Sequence, residues 1–505
     1  MEPSGSTGKV YLVGGGSGDP GLLTLRGQQC LALADVVMYD YLVNPVLLRH
    51  CRPEAKLVCL GQHGRSRIWP QDEINAHLIA YARAGNAVVR LKSGDPAVFA
   101  RGAEECLALR QAAIEFEMVP GITAAIAAAS FAGIPITHRD HASAVALVTG
   151  HEKADKEGPA VDYKKLAQFP GTIVFYMGVT SAGEWSRDLL SEGKPASTPI
   201  AIVRRVSFPD QSIHLTTLGD VAQFVKQTGL RPPVVFIVGE VVNLRDELTW
   251  FDRRPLFGTT VLVTRPAQQA ESLARPLEEL GAAVLLDPAI VIGMPEDSAP
   301  LVQAIHTLET YDWLVFASAS GVEKFFEQLI SLGYDLRKLA HIRLAVVGSG
   351  TSAALEKLHL RADLVPENFE AESLAAMLAP EAAGKRVLIV RASRGREVLP
   401  QLLANSGAGV EQVVAYESVD NLVPDPLVVQ RLTERKIDYI SVTSSAIATS
   451  LVNRYGDLLR SAKLASLSPI TSATIRSLGH EVAVEATLYT MAGLVEAIMH
   501  DRAQQ

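Results

Sequence analysis

The feature that most constrains the fold is a strand, a glycine-rich turn and a helix that follow one another from Lys9. KVYLVG has the pattern of a strand, GGSGDPGLLT that of a turn, and an amphipathic run continues to Ala34 before a second strand, DVVMYD. The alternation continues through VVRLKSGDP, TIVFYMG and PIAIVRR, and PPVVFIVGEVVNLRDEL closes this part of the chain. Strands that alternate with helical segments in this way predict an α/β protein.

A second segment of the same kind begins after WFDRRPLFG, a linker-like stretch of charge, proline and glycine. The strand, turn and helix start afresh at TTVLVTRPAQQAESLARPLEELG. We therefore place a domain boundary near Arg254, with domains at 1–254 and 259–505. A chain of 505 residues has room for two large bilobed units, because single domains usually span roughly 100 to 200 residues.

The second segment contains an internal repeat. YDWLVFASASGVEKFF matches IDYISVTSSAIATSLV, and LAVVGSGTSAALEKL matches LASLSPITSATIRSL, which aligns Ser318 with Ser444 and Thr351 with Thr471. The strand-end loops are rich in Ser, Thr and Gly at predicted helix N-termini, where free N–H groups favour anions. We expect a polyanionic, carboxylate-rich ligand between two similar lobes, which we place at 259–290 with 417–505 and at 291–416.

The overall charge excludes some classes of protein. A net charge of -8 argues against nucleic-acid binding, because phosphate recognition normally leaves a basic footprint. No stretch is apolar for the ~18 residues that a membrane helix needs, and the N-terminus MEPSGSTGK lacks a signal-peptide pattern. We expect a cytoplasmic protein with no nucleic-acid or membrane partner.

One motif points in a misleading direction. Gly16–Gly21 is a literal GxGxxG after a strand, and Asp40 ends the next strand about twenty residues later, as in a dinucleotide-binding fold. Asp19 and Pro20, however, place a helix N-cap and an N1 proline inside the motif. A nicotinamide-dependent dehydrogenase is therefore the weaker interpretation.

Six motifs in order carry a resemblance that covers residues 9–253: VYLVGGGSGDPGLLTLRG, DVVMYDYLV, VVRLKSGDPAVFARGAEE, VPGITAAIAAASFAGIPITHRDHASAVALVTGH, TIVFYMGV and VVFIVGEVVNLRDELTWF. They resemble uroporphyrinogen-III C-methyltransferase. The resemblance implies two α/β lobes, with S-adenosylmethionine (S-adenosyl-L-methionine) bound in a folded conformation between them. It also implies methylation of uroporphyrinogen III to precorrin-2, on the way to sirohaem or the corrinoids such as cobalamin. Proteins of this family are commonly dimers, so a homodimer through the N-terminal half is expected.

The same resemblance implies a set of site residues in the N-terminal half. Asp40 matches the family's active-site carboxylate; the alternative is a strand-end Asp that caps a helix. His138 and Arg139 would pair with substrate carboxylates, unless they are solvated surface charges. The spacing of the histidines in this stretch fits no common metal site, and we predict none. The implied cofactor contacts are Ser93, Gly94, Asp95, Val98, Thr123, Ala124 and Met177.

Five positions depart from the family pattern. GPGDP is GSGDP here, GGDP is SGDP, and FGRG is FARG; a lysine and a glycine expected elsewhere are also replaced. These departures leave open whether the N-terminal half is fully active. The replaced positions are Ser17, Gln62, Ser93, Ala100 and Val206.

Seven further motifs cover residues 259–500: VLVTRP, YDWLVFASASGVEKFF, LAVVGSGTSAALEKL, RVLIVRASRGREVLP, VVAYESV, ISVTSSAIATSL and ATLYTMAGLVEAI. Together they resemble uroporphyrinogen-III synthase, a bilobed, cofactor-free lyase. The resemblance implies that this half removes the hydroxyl of hydroxymethylbilane and closes the ring with inversion of ring D. Tyr416 would assist hydroxyl departure, or else packs against the hinge. The implied substrate contacts are Arg265, Ser318, Gly348, Thr351, Arg391, Thr443, Ser444, Ser445 and Thr471.

The two resemblances together predict a bifunctional enzyme of tetrapyrrole (porphyrin) biosynthesis, a fusion of transferase and lyase. Two tandem bilobed α/β modules are the expected fold. One alternative is a monofunctional synthase with a degenerate, non-catalytic methyltransferase domain. Another is a methyltransferase of the same broad superfamily that acts on RNA or protein, which the acidic charge and the THRDHASAVALVTGH stretch disfavour.

Overall fold

The computed structural model describes residues 7–61, 67–151, 161–368, 370–394 and 397–504. It divides into two compact units: Met1–Thr259 with Glu279–Ala283, and Thr260–Glu278 with Val284–Gln505. The described residues contain four five-stranded sheets with helices between the strands, which confirms the predicted α/β class. None of the helices described is long and apolar enough to cross a membrane.

The first lobe of the N-terminal unit is an all-parallel sheet with strands Val10–Gly14 (β1), Val36–Tyr39 (β2), Lys56–Cys59 (β3), Val88–Lys92 (β4) and Phe116–Val119 (β5). Their order is β3-β2-β4-β1-β5. The helices are Leu25–Leu33 (α1), Gln71–Arg83 (α2), Gly102–Gln111 (α3) and Ala124–Phe131 (α4). The inner strands are almost wholly apolar because helices cover both faces of a parallel sheet. β4 is the exception, because it contains two charged residues, Arg90 and Lys92, which are both only 2% exposed.

The second lobe of this unit is a mixed sheet with strands Val145–Thr149 (β6), Thr172–Tyr176 (β7), Pro199–Arg204 (β8), Ser212–Thr217 (β9) and Val234–Val238 (β10). Their order is β6-β7-β10-β8-β9, with β10 antiparallel to both neighbours. The helices are Tyr163–Ala167 (α5), Ala182–Ser191 (α6), Val221–Thr228 (α7) and Arg245–Leu248 (α8). Helix α4 packs its alanine-rich face into the core of this lobe, so it ties the two lobes together.

The C-terminal unit has one sheet that combines strands from the beginning and from the end of the unit's sequence. Its strands are Thr260–Val263 (β11), Ala283–Leu286 (β12), Tyr439–Val442 (β18), Lys463–Ser466 (β19) and Val484–Glu485 (β20), in the order β12-β11-β18-β19-β20. The helices of this lobe are Ala267–Glu279 (α9), Pro426–Thr433 (α15), Ser445–Tyr455 (α16), Pro469–Ser477 (α17) and Met491–Ala503 (α18).

The other sheet of this unit is formed by the part of the sequence between those two segments. Its strands are Ile290–Gly293 (β13), Trp313–Phe316 (β14), Arg343–Val346 (β15), Arg386–Ala392 (β16) and Gly409–Asp420 (β17), in the order β13-β17-β16-β14-β15. The helices are Ala299–His306 (α10), Ala319–Ser331 (α11), Ser349–Glu356 (α12), Ala371–Ala382 (α13) and Val398–Asn405 (α14).

The two lobes of the C-terminal unit repeat one another in strand register. Val261 of β11 lies opposite Tyr439 of β18, and Val387 of β16 lies opposite Trp313 of β14. Tyr439 and Trp313 occupy equivalent positions in the sequence repeat. The structure therefore makes β11 equivalent to β16, a correspondence outside the segments that the repeat aligned.

Candidate active sites

The N-terminal site lies where parallel strands of the first lobe end. Gly14 ends β1, Asp40 follows β2 and Ser93 follows β4, so all three lie at the carboxyl edge of one sheet. That edge is where ligands bind in open α/β sheets. The sequence motifs that fell on separate segments are thus brought to one place by the strand order.

Two glycine turns pair at this edge and leave open space. The backbones of Gly16 and Gly94 exchange hydrogen bonds of 3.2 and 2.7 Å, and Asp95 holds the second turn by accepting from the N–H of Gly121 at 2.9 Å. Gly94 has φ +72°, and a Cβ built there would meet only Thr123 Cα, at 3.8 Å. A ligand can therefore approach the backbone directly, as an elongated cofactor would require.

The second lobe closes this space from the other side. The hydroxyls of Thr123 and Tyr176 are hydrogen-bonded at 2.7 Å, and Phe99 packs on the Tyr176 ring with centroids 5.0 Å apart. Burial raises the pKa of Tyr176, which keeps its hydroxyl protonated. Met177, next in the chain, is 49% exposed with φ +54°. Thr123 begins α4 without a side-chain cap hydrogen bond, since its hydroxyl is used between the lobes.

The remaining predicted cofactor contacts lie on the same segments. Val98 is half-buried and donates its N–H to the Asp95 carbonyl at 3.3 Å. Ala124 is half-buried at the first position of α4. Ser93 is also half-buried, directly before the Gly94 turn.

Asp40 is held by a buried arginine. Arg90 Nη2 donates to Asp40 Oδ1 at 2.6 Å, and the Asp40 side chain remains 30% exposed. The side chain that caps the next helical turn is that of Asn44, which accepts from the N–H of Val46, so Asp40 does not have the capping role of the alternative interpretation. Asp40 is therefore a partly exposed carboxylate at the same sheet edge as the glycine turns.

Sequence reasoning missed the groups behind Asp40. Arg90 and Lys92 both contact Glu105 Oε1, at 3.2 and 2.9 Å, and Glu105 is fully buried. Burial, together with the charge of Arg90, lowers the pKa of Lys92 despite the nearby carboxylates. The available signal was the strand VVRLK itself, because charged residues rarely occupy the middle of a parallel sheet unless they are paired.

His138 and Arg139 lie in the turn that leads from α4 to β6. His138 Nδ1 accepts the N–H of Asp140 at 3.1 Å, and its ring packs on His141 with centroids 4.8 Å apart. Arg139 is exposed. No group of three or more His, Cys, Asp or Glu side chains suited to a metal occurs in the described part of the chain.

Two of the departures from the family pattern come together. Ser17 and Ser207 are hydrogen-bonded through their hydroxyls at 3.0 Å, and the Asp19 N–H donates to Ser207 Oγ at 2.9 Å. Val206, the preceding residue, is buried in the core of the second lobe. The substitutions at Ser17 and Val206 are thus in adjoining loops that fit one another; Gln62 lies outside the described residues.

In the C-terminal unit, Tyr416 and Ser318 form the best-defined polar pair. Their hydroxyls are hydrogen-bonded at 2.9 Å, and Ser318 also caps α11 by accepting from the N–H of Gly321. Tyr416 is 8% exposed, and burial raises the pKa of its hydroxyl. The pair therefore places two hydroxyl groups at the N-terminus of α11.

The equivalent position in the other lobe has the same geometry. Ser444 caps α16 by accepting from the N–H of Ile447, with φ and ψ of -160° and 160° against -161° and 157° at Ser318. The other predicted hydroxyl and glycine positions lie at helix N-termini after strands: Thr443 and Ser445 at α16, Gly348 and Thr351 at α12, and Thr471 at α17. Such termini favour anionic groups.

The two predicted arginines occupy equivalent positions, because Arg265 follows β11 and Arg391 lies at the end of β16. Arg265 donates to Met491 Sδ and to Gln269 Oε1, and burial lowers its pKa. Its Nε has no partner among the described residues. Arg391 forms an ion pair with Glu397. Of these two arginines, Arg265 is the one for which the described residues provide no carboxylate partner.

A further contact joins the lobes of this unit. Gln269 Nε2 donates to Ser320 Oγ at 2.6 Å, from α9 to α11. Ser320 is 2% exposed. No local sequence pattern predicted this contact, because its two residues are 51 positions apart.

Comparisons with known proteins match the two halves of the chain to two different family models. Residues 271–496 match the family model of uroporphyrinogen-III synthase HemD, and residues 9–222 that of tetrapyrrole (corrin/porphyrin) methylases. The porphyrin biosynthesis protein HemD of Ruminiclostridium josui is 33% identical over 486 residues, which is 96% of this chain and 94% of that protein.

Two further similarities are to uroporphyrin(ogen)-III C-methyltransferases. The uroporphyrinogen-III C-methyltransferase of Bacillus subtilis (strain 168) is 38% identical over 351 residues, covering 69% of this chain and 71% of that protein. A solved uroporphyrin-III C-methyltransferase of Thermus thermophilus, complexed with S-adenosylhomocysteine, is 39% identical over 47% of this chain and all of that one, with a TM-score of 0.41. With a relative similar over nearly its whole length, the chain belongs to the family of porphyrin biosynthesis proteins that join a tetrapyrrole methylase to a uroporphyrinogen-III synthase.

Proposed function

We propose that the chain is a bifunctional enzyme whose C-terminal unit converts hydroxymethylbilane to uroporphyrinogen III and whose N-terminal unit methylates that product to precorrin-2. The observation that carries the proposal is that one chain holds both sets of residues. One is an anchored carboxylate beside two glycine turns, and the other is a tyrosine–serine pair with an arginine that has no carboxylate partner among the described residues. The alternative with a degenerate methyltransferase domain is not favoured, because the glycine turns and the carboxylate are both present despite the departures.

The residues around Gly94 suit S-adenosylmethionine, because the backbone at Gly94 is open to close approach by a ligand. When bound, it supplies an electrophilic methyl group on a sulfonium. Gly94, Asp95 and Thr123 would hold it from the first lobe and Met177 from the second, in the positions already described. A crevice enclosed by two lobes can provide much of the rate enhancement by orienting the reacting carbon in line with the methyl group.

Asp40 either accepts a proton or binds the pyrrole N–H groups of the substrate. As the new carbon–carbon bond forms and the carbon–sulfur bond breaks, the substrate becomes cationic and must lose a proton. Asp40 lies at the same sheet edge as the cofactor turn and is partly exposed, so it can take that proton. His138 and Arg139 are proposed to meet substrate carboxylates.

In the C-terminal unit, the residues mainly hold the substrate in the conformation that ring closure requires. The pyrrole expels the hydroxyl with little help, and the Tyr416 hydroxyl hydrogen-bonds the departing oxygen. Arg265 meets a carboxylate, and the helix N-termini receive others. Ring closure with inversion then competes with spontaneous closure because the linear chain is held folded.

The test is incubation with hydroxymethylbilane, with and without S-adenosylmethionine, followed by isomer analysis. We expect uroporphyrinogen III without the cofactor and precorrin-2 with it. Formation of the uninverted type I isomer alone would refute the synthase activity, whereas type III product that is never methylated would refute the methyltransferase activity. Calorimetry should show one S-adenosylhomocysteine site per chain at micromolar affinity, which corresponds to about -8 kcal/mol.

Three parts of the proposal concern the protein's setting. A cytoplasmic location and a homodimer through the N-terminal unit both stay predictions. Size-exclusion chromatography with light scattering would test the second. The downstream product, sirohaem or a corrinoid, depends on enzymes that act after this one.

A further inference from the structure

A buried carboxylate lies behind the proposed proton acceptor. Glu105 is in the first turn of α3 and is 0% exposed. Its Oε1 accepts from Arg90 Nε at 3.2 Å, Lys92 Nζ at 2.9 Å and Gln71 Nε2 at 3.1 Å. Its Oε2 is also buried and has no partner among the described residues. Every hydrogen-bond partner that the structure shows for the Glu105 side chain therefore contacts the same oxygen, Oε1.

Arg90 is shared between two carboxylates. Its Nη2 donates to Asp40 at 2.6 Å while its Nε donates to Glu105. Lys92 contacts the same Glu105 oxygen and directly precedes Ser93, where the cofactor turn begins. Glu105 thus connects the proposed proton acceptor with the cofactor turn through two cations of one strand. Two positive and two negative groups make the cluster neutral, as buried charges require.

We propose that Glu105 is a positioning residue for methyl transfer, which acts by holding Arg90 so that Asp40 keeps its basicity. The inference rests on the proposed methyltransferase function. A guanidinium shared between two carboxylates stabilises the Asp40 anion less than an unshared one would. Without the Glu105 charge, Arg90 pairs with Asp40 alone, and Asp40 accepts a proton less readily.

Other groups around the cluster do not replace Glu105. Burial raises the pKa of Tyr41, beside Asp40, and of Cys106, beside Glu105, so both side chains are neutral near pH 7. Arg101, before α3, is bound to the exposed Glu104 at 2.6 Å. Lys92 is the remaining cation, and its contact is with Glu105 itself.

The first experiment compares Glu105→Gln with Glu104→Gln, its exposed neighbour on the same helix turn. Glu105→Gln keeps the shape and removes the charge, so kcat for methylation should fall by about tenfold or more, less than the ~100-fold expected for loss of the base. The affinity for S-adenosylhomocysteine should not change. Glu104→Gln should leave both quantities at wild-type values.

A second variant separates positioning from the cost of an unbalanced buried charge. Glu105→Gln with Lys92→Met removes one charge of each sign, so thermal stability should return towards that of the wild type. The kcat should stay low, because Arg90 still pairs with Asp40 alone. This variant also decides the question if Glu105→Gln by itself fails to fold.

Three outcomes would overturn the inference. These are an unchanged kcat in Glu105→Gln, recovery of stability and kcat together in the double variant, or loss of cofactor affinity in step with kcat. A wild-type protein that does not methylate uroporphyrinogen III would instead refute the proposed function, so the two failures are distinguishable.

Discussion

The two candidate sites hold their charged groups in opposite ways. In the N-terminal unit, Asp40 is anchored by Arg90, which is itself fixed by buried Glu105. In the C-terminal unit, the partners that the described residues offer Arg265 are both neutral, Gln269 and Met491. The difference corresponds to different chemical needs: a fixed base suits a step that must release a proton, whereas an arginine without a carboxylate partner suits capture of a substrate carboxylate.

The largest effect should come from removing the fixed base. Asp40→Asn keeps the shape and removes the charge, so methylation should fall by about 100-fold or more, the scale of general-base loss. Conversion of hydroxymethylbilane to uroporphyrinogen III by the same protein is the internal control and should not change. Equal methylation by Asp40→Asn and wild type would mean that Asp40 serves structure alone, and the contrast between the sites would lose its basis.

The arginines offer a comparison within one unit. Arg265→Ala should raise the KM for hydroxymethylbilane by about 10- to 100-fold, since a hydrogen bond to a charged group contributes about 1.5 to 3 kcal/mol. Arg391→Ala should have a smaller effect, because Glu397 already occupies its guanidinium. Steady-state kinetics of both variants is the measurement. A larger KM effect at Arg391 would show that substrate displaces Glu397.

The tyrosine should matter less than either charged group. Tyr416→Phe deletes one hydroxyl with almost no change of volume, so thermal stability should hardly move while ring closure slows by about tenfold. More unclosed bilane should then escape and cyclise to the type I isomer. A loss of about 1000-fold would indicate true acid catalysis and would make the C-terminal site resemble the N-terminal one.

The smallest expected effect is on the pH profile of ring closure. Burial raises the pKa of Tyr416 above its ordinary value of 10, so the hydroxyl stays protonated across the neutral range. Wild type and Tyr416→Phe should therefore give parallel rate profiles from about pH 7 to about pH 9. A wild-type profile that falls in this range, with a flat one for the variant, would contradict the role of Tyr416 as a neutral hydrogen-bond donor.

Much of this architecture could be predicted from local sequence. The alternation of strands and glycine turns predicted the α/β class, and the helix-capping pattern at Asp19 and Pro20 is present, with Asp19 Oδ1 accepting from the N–H of Gly21 at 2.7 Å. The repeat aligned Ser318 with Ser444 at predicted helix N-termini, and in the structure both side chains cap a helix. Each of these features depends on residues that lie close together in the chain.

What the sequence left hidden depends on contacts between distant segments. Arg90 meets Asp40 across 50 positions, and Ser17 meets Ser207 across 190, so no local spacing predicts either pair. The Ser17 and Val206 departures were separate doubts in the sequence and adjoin in the structure.

The equivalence of β11 and β16 has a consequence for the direction in which a linear ligand lies. A perfectly duplicated pair of lobes would accept a chain of similar units equally well in either orientation. The duplicates differ at the arginine: among the described residues the arginine after β11 has no acidic partner, whereas the arginine of β16 forms an ion pair with Glu397. We expect this difference between the arginines to let the unit distinguish one end of its ligand from the other.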